Sequence, residues 1–484
     1  MIIKEEKIVN WFKKNWILIG ILTFTIAIRI YYFVLTRGQT LWWDSAVYMN
    51  IARRFAFGID YTFNPVRPIL FSLINSFFLR IADNEFLPRL FMLFLSVASV
   101  FGVYLLGKEL YNKKVGLVAS FLTSIFYLNL FFTYRLLQDM PSLTFFVFSG
   151  FLFYKYFKTK SNKALYLATG LIVIGTLLKL STGFILPAIL IYALITEGFK
   201  IFKRKEIWIA ILIFVLLIAP YIIWGYFEFG GFIFTKAVSQ VAPTDYSGGF
   251  GIMKTYLTLF PTYFSWILLA TFILGIVLMY KTFLYFDKLI KGDEKLKRNL
   301  FLLLILIIPF VLISFFIGHS ENRYLMTIFP TIFLISSSFI IFAYDLIRKK
   351  IKIVAVIFLI GLLVFVTIFQ LQAADSLIKN KKGTYVQVKE AGLWLKQNSN
   401  VSDIVATKSQ PQIKYYSGRD TIGLLETKEE FESSITQNTK FFMLSIFENH
   451  PGWAYNYSME KNLTIVYGSI DGENNPILLI YELK

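Results

Sequence analysis

The 484-residue chain contains no cysteine and only two histidines, His319 and His450. The first absence excludes disulfides, thiolate zinc sites, iron–sulfur clusters and a cysteine nucleophile. The second excludes a histidine-rich metal centre. Charge is also scarce, at 16% of residues, where soluble domains carry about 25%. In its place 56% of residues are hydrophobic and 18% aromatic, with the 52 Phe and 28 Tyr spread along the whole chain. That balance is the composition of a membrane protein. Acids are outnumbered by bases, 30 to 49, which gives a net charge of +19. Residues 1–371 hold 37 Lys/Arg against 17 Asp/Glu, whereas the last 113 residues hold 12 against 13. The excess therefore belongs to the apolar part and is a topology signal; no nucleic-acid partner is expected.

Apolar runs near 20 residues long cross a hydrocarbon core of roughly 30 Å. Eleven are read, over about 16–36, 87–107, 115–133, 141–157, 164–178, 182–198, 207–225, 256–280, 299–318, 324–346 and 351–371. The first is too long for a cleaved signal peptide and has no small-residue cleavage site after it, so it reads as a signal anchor. Alternate loops differ in charge. The set 1–15, 108–114, 155–163, 199–206, 281–298 and 348–352 holds 25 Lys/Arg, and the set 37–86, 134–140, 179–181, 226–255 and 318–323 holds 10. The positive-inside rule puts the first set, with the N-terminus, in the cytoplasm. The second set and the C-terminal segment then lie outside a multi-pass cell membrane. Three N-x-S/T sequons, at Asn400, Asn456 and Asn462, fall in that outer segment.

The expected fold is a polytopic α-helical membrane domain over 1–371 followed by an extracytoplasmic α/β domain over 372–484. In the latter, 384–398 has helical periodicity, 403–407 reads as a strand, and a helix near 427–437 precedes the strand KFFMLSIF. LTIVY and ILLIY read as the closing strands.

The unusual polar residues gather in the outer loops. Loop 37–86 opens with Leu41-Trp42-Trp43-Asp44 and a helix over 45–57 that Gly58 caps. Asp44, Tyr48 and Ile51 share one face of it. Val66-Arg67-Pro68 follows, then an apolar stretch, 69–78, too short to span and read as an interfacial helix. Asp139-Met140-Pro141 opens the fourth span, and His319-Ser320-Glu321-Asn322-Arg323-Tyr324 stands at the mouth of the tenth. Two carboxylates and two guanidiniums thus come to one membrane face from separate loops.

At these residues the chain resembles the GT-C glycosyltransferases, and most closely the branch of the protein O-mannosyltransferases and lipid A aminoarabinose transferases. The resemblance is carried by Trp43-Asp44 with Tyr48, Arg67-Pro68, Pro88-Arg89-Leu90, Asp139-Met140-Pro141, and Arg323-Tyr324 with Pro330. No single motif is specific; order and sidedness carry it. It implies inverting transfer of one sugar from a dolichyl- or undecaprenyl-phosphate carrier to an acceptor hydroxyl of a protein, lipid or glycan. It further implies Asp44 as general base, Asp139 in the same cavity, and Arg67 and Arg323, with Tyr324, on the donor phosphate; Tyr48 and Arg29 are supporting candidates. The chemistry suits those residue types: the acceptor needs a base, and the leaving phosphate needs cations rather than a general acid. There is no D-x-D motif, and a divalent Mg or Mn ion is left open without any residue that calls for one.

Each residue also has a bland reading. Asp139 before a Pro-initiated helix is an ordinary N-cap, and Asp44 could cap the 45–57 helix. Tyr48 and Tyr324 could be belt aromatics, and Arg67 and Arg323 headgroup anchors. Arg29, inside the first span, is costly at ~3 kcal/mol on insertion scales and points to function unless it snorkels outward. Asp83-x-Glu85 could be a metal pair, but a solvated loop is the simpler reading. The alternatives at the level of function are en bloc transfer of an oligosaccharide, a secondary transporter, which would want polar groups at mid-membrane, and a scaffold presenting the tail.

Overall fold

The computed structural model describes residues 2–241, 246–290 and 292–483. Helices occupy each of the eleven expected runs, and among the described residues seven are long and apolar enough to cross a membrane by themselves. The run 115–133 is two helices, Lys113–Ile125 and Tyr127–Thr133, bent by 57° at the extended residue Phe126. The amide that this break frees, on Tyr127, donates to Gln370 Oε1 at 3.1 Å. The run 256–280 is likewise divided. Helix Tyr246–Tyr263 stops, and Ser265 caps Trp266–Leu278 by accepting from the Leu268 amide. Helices Phe86–Leu110 and Lys113–Ile125 pack in close contact: a Cβ on Gly107 would stand 2.8 Å from Gly116 Cα.

Arg29 does not snorkel. It is fully buried, its Nε donating to Ser96 Oγ at 2.7 Å and its Nη1 to the Ser124 carbonyl at 3.0 Å. Those partners lie on the two neighbouring helices, so the charge ties three helices together. Helix Leu70–Ile81 turns Leu73, Phe77 and Ile81 outward along one stripe and buries Phe71 and Asn75, the pattern of a helix lying along an apolar surface.

The last membrane helix, Lys352–Lys381, runs on past residue 371. The tail beyond it has a five-stranded sheet: β1 (Ile404–Thr407), β2 (Asp420–Ile422), β3 (Thr439–Ser445), β4 (Thr464–Ile470) and β5 (Pro476–Glu482), in the order β2-β1-β3-β5-β4. β1 pairs parallel with β2 and β3, and β5 antiparallel with β3 and β4. Helix Val386–Asn398 covers one face through Val388, Ala391 and Leu395 against Val405, Phe441 and Ile480. Phe431, Ala454 and Tyr457 cover the other against Ala406 and Phe442. Both faces are buried, which is why β3 reads as an unbroken apolar run. Two short helices, Gln410–Ser417 and Ala454–Glu460, carry no clear periodicity in the sequence.

Candidate active site

Six chain segments converge on a cavity of about 590 Å³ at one end of the helix bundle. The first is helix Trp43–Phe57, closed by Gly58 in the left-handed region at φ 73°. Asp44 lies in its first turn, where the helix dipole favours a carboxylate. It does not cap the helix; its two oxygens go to two arginines. Oδ1 accepts from Arg67 Nη2 at 2.5 Å and Oδ2 from Arg323 Nη2 at 2.7 Å. Tyr48, one turn on, is buried in the same wall, with the Arg67 guanidinium 6.0 Å from its ring centre. It is no belt residue.

Arg67 is presented by a turn that its own sequence encodes. Asn64 Oδ1 accepts from the Val66 amide and the Asn64 carbonyl from the Arg67 amide, with Pro65 between them. Arg323 comes from the 3₁₀ segment Asn322–Thr327, which is fixed by the bond from Tyr263 Oη to Asn322 Oδ1 at 2.8 Å. Its guanidinium also meets Glu321, Nε to Oε2 at 2.6 Å and Nη2 to Oε1 at 2.9 Å. Tyr324 Oη bonds Glu321 Oε1 at 3.1 Å and His319 Nε2 at 2.8 Å, so it too faces the cavity.

Asp139 opens helix Asp139–Thr159 and makes no capping bond. Its carboxylate is 4% exposed and accepts from Lys179 Nζ at 2.5 Å. Lys179 follows helix Asn162–Leu178 in a sharp turn, and only a glycine at 175 allows it: a Cβ there would stand 2.8 Å from Thr182 Cγ2. The Ser142–Thr182 hydroxyl pair, at 2.6 Å, ties that turn to the Asp139 helix.

The cavity wall thus holds the acids Asp44, Asp139 and Glu321 against Arg67, Lys179 and Arg323. Burial works to raise the Asp44 carboxyl, but Arg323 and Arg67 outweigh it and hold it below the usual carboxylate range. Glu321 is lowered in the same way, burial being outweighed by Arg323. Burial opposes the charge on Arg323, yet Asp139, Asp44 and Glu321 keep it protonated. Burial raises the Tyr324 phenol above its ordinary value, so it serves as a neutral hydrogen-bonding group. Beside this polar wall stand Phe184, Phe234, Ala237, Val238 and Phe316, an apolar flank.

Of the residues singled out in the sequence, Asp44, Tyr48, Arg67, Asp139, Arg323 and Tyr324 meet in this cavity, and Arg29 does not line it. Lys179 and Glu321 line it without having been singled out. The only signal for Lys179 is a lone cation between two apolar runs. Of the Asp83-x-Glu85 pair, Asp83 keeps half of its side chain exposed, as a solvated loop would have it, and Glu85 is largely buried. Asp83 pairs with Arg53 at 3.0 Å and Glu85 with Arg89 at 2.6 Å, and among the described residues no three His, Asp or Glu side chains converge as metal ligands.

Residues 66–224 match the sequence model of the family described as dolichyl-phosphate-mannose-protein mannosyltransferase. A comparison with curated protein sequences finds no match. Among solved structures, apo ArnT from Cupriavidus metallidurans superimposes with a TM-score of 0.70 at 10% identity, over 97% of this chain and 98% of that one. The same protein bound to undecaprenyl phosphate gives 0.69 at 9% identity, over 97% and 98%. The oligosaccharyltransferase AglB from Archaeoglobus fulgidus, in complex with an inhibitory peptide and a dolichol-phosphate, gives 0.62 at 14% identity, over 90% and 70%. The chain thus shares the fold of ArnT and of the archaeal oligosaccharyltransferase, and over residues 66–224, about a third of its length, it is similar to the mannosyltransferase family.

Proposed function

We propose that this protein is a glycosyltransferase that moves a single sugar from a polyprenyl-phosphate carrier to an acceptor hydroxyl at the outer membrane face, with inversion at the anomeric carbon. The observation that carries the reading is one carboxylate, Asp44, held between two guanidiniums in a cavity with an apolar flank. The acceptor oxygen attacks the anomeric carbon while Asp44 takes its proton. The carbon–oxygen bond to phosphate breaks, and the departing phosphate gathers charge that Arg67 and Arg323 neutralise. Guanidiniums suit the task because their planar forks match phosphate oxygens. The apolar flank receives the first isoprene units. Asp139, neutralised by Lys179, lines the acceptor side, where a paired carboxylate can accept from sugar hydroxyls without repelling phosphate. Single-sugar transfer is supported by the matched family, whose description names a mannosyl carrier, and by a cavity in the range of small-ligand sites. The positive-inside rule supports the outer location.

The test uses purified protein in liposomes with radiolabelled polyprenyl-phosphate sugars, a lipid-linked oligosaccharide, and crude envelope acceptor. Loss of label from a monosaccharide carrier by wild type but not by Asp44→Asn is the expected result. Consumption of the oligosaccharide alone replaces the proposal with en bloc transfer. Equal consumption by the variant removes Asp44 as the base.

A further inference from the structure

The tail does not merely follow the membrane domain; one of its side chains bonds the backbone that leads to Asp44 and, through Glu85 and Arg89, is linked to the backbone that leads to Asp139. Tyr416, in helix Gln410–Ser417, is 7% exposed. Its hydroxyl accepts from the Leu41 amide at 2.9 Å, three residues before Asp44, and donates to Glu85 Oε1 at 3.0 Å. The other oxygen of Glu85 accepts from Arg89 Nη2 at 2.6 Å. The Arg89 guanidinium in turn donates to the Gln39 carbonyl at 2.6 Å and the Tyr134 carbonyl at 2.8 Å. Gln39 is five residues before Asp44, and Tyr134 five before Asp139.

Arg89 is 3% exposed and the Glu85 side chain 12%, so the relay is shielded from solvent. Bonds among partly buried charged groups are strong and directional, and leaving one member unpaired is costly. The docking of this helix is independently fixed: Asn50 Nδ2 donates to the Pro411 carbonyl at 2.8 Å, and the Arg53 guanidinium lies 4.0 Å over the Tyr415 ring. Both contacts fall on the helix that carries Asp44. The hydroxyl of Tyr416 is therefore presented to the loop from a helix that is docked by contacts other than its own.

We propose that Tyr416 is a positioning residue for the proposed sugar transfer, setting the loops of Asp44 and Asp139 together through Glu85 and Arg89. This rests on the reading of Asp44 as the base. It makes the tail part of the catalytic apparatus although no tail residue lines the cavity among the described residues. Displacements of about 1 Å at a reacting group cost on the order of a hundredfold in rate.

The experiment compares full-length wild type with Tyr416→Phe and Glu85→Gln in nanodiscs, by hydrogen exchange and by steady-state transfer. Tyr416→Phe removes one hydroxyl and keeps the packing, so the tail sheet should exchange as in wild type. Peptides covering 37–44 and 134–139 should exchange faster, both of them, in each variant. In transfer, kcat should fall by about ten- to a hundredfold, more than the donor KM changes, because the relay reaches Arg67 and Arg323 only through Asp44. If either peptide exchanges as in wild type in both variants, the relay does not couple the loops and the proposal fails. A fall in kcat that tracks loss of folded protein also overturns it. Wild type inactive on every donor, with the exchange result intact, would overturn the reading of the reaction and leave the loop coupling standing.

Discussion

In the free protein the two guanidiniums assigned to the donor phosphate are already occupied by Asp44. A phosphate entering the cavity must take them from a carboxylate, and it must do so beside that carboxylate's charge. Neutralising Asp44 removes both obstacles, so Asp44→Asn should bind the carrier phosphate more tightly even though it transfers nothing. Each charge-assisted bond is worth roughly 1.5–3 kcal/mol when dry. The pairs are only partly dry: the Asp44 side chain is 22% exposed, as is that of Arg67, and Arg323 keeps Glu321 as a second partner. Discounted for solvent and for that second partner, the gain is about 1.5–3 kcal/mol in total, roughly ten- to 150-fold in Kd. The assay is titration of polyprenyl phosphate into protein in nanodiscs at two ionic strengths, with the phosphate-free polyprenol as control. The alcohol should bind both proteins equally. Equal or weaker phosphate binding by Asp44→Asn would refute the competition, and with it the placement of phosphate on Arg67 and Arg323. The same competition bears on the chemistry. A carboxylate held below its ordinary range is a weak base, and it regains basicity when the donor draws the arginines away.

Three further predictions follow from the same geometry. Because Arg323 and Arg67 outweigh burial and hold Asp44 below the ordinary carboxylate range, the acid limb of kcat/KM for the donor should lie below that range. Arg67→Gln should shift that limb upward, and an unmoved limb in a pH–rate series would show that another group titrates. Lys179→Met leaves the buried Asp139 carboxylate unpaired and should destabilise the protein by about 3 kcal/mol. Adding Asp139→Asn should restore much of that loss in a thermal unfolding series, and strictly additive losses would refute the coupling. Arg29→Leu removes the tie among three helices and should lower the thermal midpoint in detergent; a midpoint equal to wild type would show that the Ser96 and Ser124 contacts carry no net stability.

What the sequence made legible is what has a period or a side. The apolar runs gave the helices because a bilayer demands unbroken apolar length, and four of the five tail strands were visible as apolar runs, whereas β2, three residues long and without a buried residue, was not. The candidate site was legible through sidedness: four polar clusters in loops expected on one membrane face line a single cavity. Which groups would pair was not legible, because pairing joins residues with no fixed spacing. Asp139 meets Lys179 across 40 residues and Asp44 meets Arg323 across 279. Breaks were also hidden: residue 126 is a phenylalanine, whose identity says nothing of its extended backbone, and the Gln370 oxygen that accepts the freed Tyr127 amide sits 243 residues away.

The relay from Tyr416 is the extreme case of this limit. Tyr416 lies 375 residues from Leu41 and 331 from Glu85, in a helix of eight residues with no period to announce it. A tyrosine there reads as ordinary tail packing. Only when the tail is folded against the helix of Asp44 does its hydroxyl acquire two partners, one near each end of the loop 37–86. The consequence is directional. A soluble tail that could be removed without touching the chemistry would make its contacts at loops far from the acids. This one bonds Leu41, three residues before Asp44, and through Glu85 and Arg89 reaches Gln39 and Tyr134, each five residues before an acid, so the membrane domain expressed without the tail should fold its helices and still misplace Asp44.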